Sequence, residues 1–126
     1  VSGSYLSRGY PTIHPMSEIE RPTRNSARTT AAYESSPGEV LDAAERAIEG
    51  LPNWSLAERS ETGLRAVRTT SILRFKDDVG LEAEPEDNAT GTRLRLSSAS
   101  RVGKSDLGQN PRNLRELLDA LQRELG

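Results

Sequence analysis

The chain has 126 residues, enough for one ordinary domain with its own core. Hydrophobic residues make up 33% and aromatic ones only 4%, so the core has to be built from Leu, Val, Ile and Ala, with Trp54 and Phe75 as anchors. A net charge of -2 argues against a general electrostatic grip on nucleic acid or anionic lipid while leaving room for local patches, and the absence of cysteine excludes thiol catalysis, disulfides and thiolate metal sites.

From Val1 to Ser35 neither the helical nor the strand period is present. Gly3, Gly9, Pro11, Pro15 and Pro22 punctuate a run of Ser, Thr and Arg. This stretch reads as an extended N-terminal arm, and its scattered Tyr5, Leu6, Tyr10, Ile13, Met16 and Ile19 are candidate docking points for a partner. No apolar signal core is legible in Val1 to Pro15, which favours the cytoplasmic side of a membrane over a periplasmic or lumenal one reached through a removed leader. No run approaches the roughly 18 apolar residues of a spanning helix.

At Ser36 the signals change together. Ser36-Pro37-Gly38-Glu39 fits a capping box with Pro at the first helical position, and Val40, Leu41, Ala44, Ala47, Ile48 and Leu51 share one face of the helix that follows, up to Gly50. From Trp54 the period falls to two. Trp54 and Leu56, then Leu64 and Ala66, flank the turn Ser60-Glu61-Thr62-Gly63 as a hairpin. A third strand places Leu73, Phe75, Val79, Leu81 and Ala83 on one face, with Gly80 a candidate bulge, and a fourth points Leu94 and Leu96 inward. The last helix takes Asn110 as its cap and Pro111 as its first residue, and carries the stripe Leu114, Leu117, Leu118, Leu121 and Leu125.

The expected fold is α+β: an arm over residues 1–35, then one domain over 36–126 of order α-β-β-β-β-α. Its four-stranded antiparallel sheet carries both helices on one face and leaves the other open. Arg74, Lys76, Arg93 and Arg95 fall on that open face. With no aromatic among them for base stacking, they suit a protein partner rather than nucleic acid.

Between the fourth strand and the last helix runs a small, polar loop with two cations, Arg101 and Lys104. Phe75-Lys76-Asp77-Asp78-Val79, then Ser98-Ala99-Ser100-Arg101-Val102-Gly103, Ser105-Asp106-Leu107-Gly108 and Asn110 resemble the signature of domain-of-unknown-function family 1499, over about residues 36–125. The resemblance implies no established catalytic activity. It implies a bacterial or plastid range, often with a link to membranes, so a photosynthetic or respiratory membrane complex is the expected setting. Many members carry a cysteine-containing segment ahead of the first helix, where this chain has its polar arm.

The loop admits several readings. Gly103-Lys104-Ser105 is like the end of a phosphate-binding P-loop, but the first glycine of that motif is replaced by Ser98 and the helix starts too late. Ser98, Ser100, Arg101, Lys104 and Asp106 are candidate ligands for a small anion near the helix start. The competing reading is structural, with Asp77, Asp78, Arg101 and Asn110 pinning the loop to the sheet. Asp77 and Asp78 point to opposite faces of a strand, so no metal site is expected from Asp77, Asp78 and Asp106. The only histidine, His14, lies in the arm, and no catalytic constellation or cofactor site is legible. The leading expectation is a non-catalytic accessory subunit that docks on other proteins of a membrane complex. A ligand-binding module and an enzyme of unknown reaction are the alternatives.

Overall fold

The computed structural model describes residues 18–86, 90–103 and 105–126. Tyr5, Leu6, Tyr10, Ile13, His14, Met16, Asn88 and Lys104 lie outside the described residues. The elements run in the order β1 (Ser26–Tyr33), α1 (Pro37–Gly50), β2 (Trp54–Arg59), β3 (Gly63–Thr69), β4 (Lys76–Pro85), β5 (Thr92–Ser100) and α2 (Gln109–Leu125).

They build an α+β fold with a fully antiparallel sheet of order β1-β5-β4-β3-β2 and both helices on one face. The sheet has five strands where the sequence reading expects four. The additional strand, β1, comes from the stretch read as arm and pairs along its whole length with β5, from Ser26 opposite Ala99 to Tyr33 opposite Thr92. Its inward side chains are Ala27, Thr29, Ala31 and Tyr33, all buried. An alternation carried by Ala and Thr gives a weak hydrophobic signal, yet small residues are what a strand beneath a packed helix requires, and α2 lies over β1 and β5. Glu20 continues the edge by exchanging two backbone hydrogen bonds with Arg28, at 2.8 and 2.9 Å, and this seats Ile19 in the core. Ile19 is thus a core residue of its own domain and not a free docking point.

Helix α1 begins as its sequence dictates. The Ser36 side chain accepts from the Glu39 N–H, and Glu39 accepts from the Ser36 N–H at 2.9 Å, so two orphan donors are satisfied. Backbone and side-chain hydrogen bonds with Ser36 hold the Glu39 carboxyl below its usual range. The helix carries the chain from one sheet edge, β1, to the other, β2, and buries Val40, Leu41, Ala44, Ala47 and Ile48 against the sheet. Helix α2 buries Leu114, Leu117, Leu118 and Leu121 beside it. At roughly 1.5–3 kcal/mol for each large aliphatic side chain, this shared core supplies most of the drive to fold.

Two strand details depart from expectation. The irregularity sits in β2 between Leu56 and Glu58, while Gly80 pairs in register with Arg65 and Ser97. Strand β4 begins only at Lys76, because Thr70 and Phe75 close a turn with Thr70 N donating to Phe75 O and Phe75 N donating to Thr70 Oγ1, both at 2.8 Å. Leu73 and Phe75 therefore leave the core face and stand 67% and 47% exposed.

Candidate functional site

The residues that carry the family-like signature meet at one end of the sheet, where β4 and β5 pass under the start of α2. The inward register of β4 continues from Val79 to Asp77 and that of β5 from Leu96 to Ser98, so two polar side chains enter the helix-covered face. Asp77 is 1% exposed and Ser98 1%. Helix α2 answers with Asn110 and Asn113, one turn apart on its buried face and both fully enclosed.

The four form one hydrogen-bonded network. Ser98 Oγ donates to Asn110 Oδ1 at 2.6 Å and accepts from Asn113 Nδ2 at 3.1 Å, and Asn113 Nδ2 also donates to Asp77 Oδ2 at 2.8 Å. Asn110 Nδ2 reaches Asp106 Oδ2 at 2.7 Å, Asn25 O at 2.8 Å and Ser100 Oγ at 2.9 Å. Gln109 Nε2 completes the set by donating to Asn113 Oδ1 at 2.7 Å. Most buried polar groups are paired, and here they pair chiefly with one another.

Asp106 acts as a helix cap from two residues before the cap position. The N-cap residue is Gly108 at φ 83°, which has no side chain to offer, and Asp106 accepts from Gly108 N at 2.7 Å and Asn110 N at 3.1 Å. Asn110 is consequently inside the first turn, a bridge between strands and helix, and not the cap the sequence suggests. Arg21 Nη2 closes on Asp106 Oδ1 at 2.7 Å, which ties the segment before β1 to the loop before α2. Burial pushes the Asp106 carboxyl up, but hydrogen bonds from Asn110, Gly108 and Arg21 outweigh it, and the group ionises below its usual range.

The remaining candidates separate. Arg101 lies outside the network and grips Asp78 on the opposite face, with contacts of 2.9 to 3.2 Å, so Asp77, Asp78 and Asp106 do not converge. No group of three or more His, Cys, Asp or Glu able to hold a metal ion occurs among the described residues. On the open face Arg93 pairs with Glu86 and Arg95 with Glu84, each at 2.9 Å, and Arg74 sits in the turn at φ 60°. The expected cationic stripe is therefore interrupted, since facing strands alternate its cations with carboxylates. Sequence reasoning missed Asn113, Asn25 and Arg21. Asn113 was findable, because it interrupts the apolar stripe one turn after Asn110, whereas Asn25 and Arg21 act through the tertiary position of a loop.

Among the concavities around this network is one of about 610 Å³ lined by Arg21, Thr23, Arg24, Ser105, Asp106 and Gly108. The open face of the sheet forms a trough of about 750 Å³ whose lining includes Arg28, Glu58, Arg65, Gly80, Glu82 and Ser97. A smaller cleft of about 380 Å³ lies at the end of the sheet between the β3–β4 turn and the β5–α2 loop, with Asp77, Ser100 and Asp106 among its lining residues.

The fold is thus a small α+β domain with a polar pin between strands and helix. The chain belongs to the family described as protein of unknown function DUF1499, whose model matches residues 11–121 and so includes β1. Solved structures similar at low identity include the following three. A protein from Thermus thermophilus is 13% identical, with 79% of this chain and 96% of that chain covered, at a TM-score of 0.44. One from Deinococcus radiodurans is 14% identical, with coverages of 86% and 74% and a TM-score of 0.33. An uncharacterised protein from Rhizobium leguminosarum is 11% identical, with coverages of 79% and 95% and a TM-score of 0.39. No curated protein matches the chain.

Proposed function

We propose that this protein is a non-catalytic interaction protein, a small peripheral subunit that docks on a larger, membrane-bound assembly through the open face of its sheet and its N-terminal arm. The observation that supports this reading is the trough. Both helices pack on one side of the sheet, and the other side is concave, floored at Gly80 and Ser97 and walled by charged side chains of both signs. A surface of that kind suits a protein partner of complementary charge better than a nucleic acid or a small apolar ligand. Glu18 and Glu20, at the start of the described residues, line the trough. The membrane-bound and photosynthetic setting rests on the family resemblance. No helix among the described residues is long and apolar enough to cross a membrane.

An anion-binding loop has less support. Arg101 is engaged by Asp78, and the cleft beside the loop contains the carboxylates of Asp77 and Asp106, which repel an anion.

The test is purification of the tagged chain from membranes of its own cells beside the variant Arg65→Glu/Arg28→Glu. The reading expects one partner at constant stoichiometry with the native chain and its loss with the variant at unchanged thermal stability. A native chain that purifies alone, or a partner retained equally by both, overturns it.

A further inference from the structure

The large apolar side chains that stand exposed among the described residues are Ile72, Leu73, Phe75, Val102 and Leu107. They are not scattered. All five line the cleft at the end of the sheet, three from the β3–β4 turn and two from the β5–α2 loop. Ile72 is 89% and Leu107 84% exposed, where the other large aliphatic side chains among the described residues are mostly buried.

These side chains are held outward. The Thr70–Phe75 hydrogen bonds close the first turn around Arg74 at φ 60°, and the Asp106 carboxylate fixes the second loop around Leu107 at φ 53°. A positive φ is costly for both residue types and persists only where surrounding bonds impose it. Arg101 N donates to Lys76 O at 3.1 Å and joins the two loops at their bases. The tips therefore cannot fold back to cover their apolar side chains without losing those bonds.

The charge around the tips is one-sided although the whole chain is weakly acidic. Arg74, Lys76 and Arg112 are exposed. Neither Arg74 nor Lys76 makes an ion pair among the described residues, and Arg112 reaches only Gln109. The nearby carboxylates are buried or paired: Asp77 is buried, Asp106 is bonded to Arg21, and the exposed Asp78 is paired with Arg101.

We propose that this end of the molecule docks on an anionic lipid bilayer, with the five apolar tips entering the interfacial layer and Arg74, Lys76 and Arg112 meeting the headgroup phosphates. Two short loops with exposed apolar side chains and neighbouring cations match a surface that is apolar below and negatively charged above. The trough on the open face stays free for a protein partner.

The test uses the full chain and vesicles of phosphatidylcholine with or without phosphatidylglycerol, read by co-sedimentation. Binding is expected to the phosphatidylglycerol vesicles and to fall as salt rises. Ile72→Ser/Leu107→Ser is expected to weaken the partition by at least about tenfold, and Arg74→Gln or Arg112→Gln by about fivefold each, with melting unchanged. Arg65→Glu, in the trough, is expected to bind vesicles like the native chain. Failure to sediment with phosphatidylglycerol vesicles overturns the proposal, as does tip-variant binding equal to the native chain or an equal loss with Arg65→Glu.

Discussion

Asn110 concentrates more of the structure in one side chain than any leucine of the core, because four partners from three parts of the chain close on it. Replacing it with Ala takes away the acceptor of the buried Ser98 hydroxyl and one side-chain partner each of Ser100 and Asp106. Asn110→Ala should cost about 3 kcal/mol by urea denaturation. Tyr33 shows the opposite situation, since its hydroxyl is buried with no hydrogen-bond partner among the described residues and burial pushes its ionisation far up. Tyr33→Phe should therefore be neutral or stabilising by about 1 kcal/mol in the same measurement. Asp106 adds a pH dependence. Its folded-state ionisation is lowered, so its contribution is fully present above the unfolded carboxylate value, about pH 4, and is lost as the pH falls through the lower folded value. Asp106→Asn should flatten the acid limb of the stability–pH curve below about pH 4 and leave its neutral shape unchanged. These polar positions were half legible: Asp77 and Asn113 break apolar registers in the sequence, but which groups they would meet was not.

Among the elements, β1 decides most. It is the edge strand, it pairs with the strand most distant in sequence, and it supplies Ala27, Ala31 and Tyr33 to the face beneath α2. A chain that begins at Ser36 lacks this strand and exposes the edge of β5 together with part of the underside of α2. It should show no cooperative unfolding transition by far-UV circular dichroism, where the full chain shows one. A chain so shortened would confuse loss of fold with loss of a docking arm, which is why the trough variant is the better test of function. The periods of α1, α2, β2, β3 and β5 were readable because each carries large apolar residues at its own spacing. That of β1 was not, because Ala and Thr mark a buried face only once a helix is known to press on it. The start of β4 was misplaced for a related reason. Leu73 and Phe75 continue a strand-like alternation, and only the closed turn at Thr70 removes them from the core.

At the scale of the molecule, one core joins both helices to the sheet, and the only tryptophan, Trp54, sits at its margin with its indole N–H donating to Glu116 at 2.8 Å. Trp54 fluorescence and circular dichroism should accordingly report one unfolding midpoint, and two separated midpoints would contradict a single cooperative core. The molecule also divides its surfaces: a helix-covered face that holds it together, a bare trough on the other face of the sheet, and an end that carries the exposed apolar side chains with Arg74, Lys76 and Arg112.

The sequence by itself determined the class of the fold, the two helices with their apolar faces, the caps at Ser36, and the membership announced by the run from Phe75 to Asn110. Those are local properties, in which spacing of a few residues fixes which face is apolar and where a helix starts. Tertiary structure decided the fifth strand, the bonding of Ser98 to Asn110 and Asn113, the pairing of Arg101 with Asp78, and the gathering of five apolar tips at one end. Each of these depends on which distant segments become neighbours, and that is set by the packing of the whole chain, where no single stretch holds both partners.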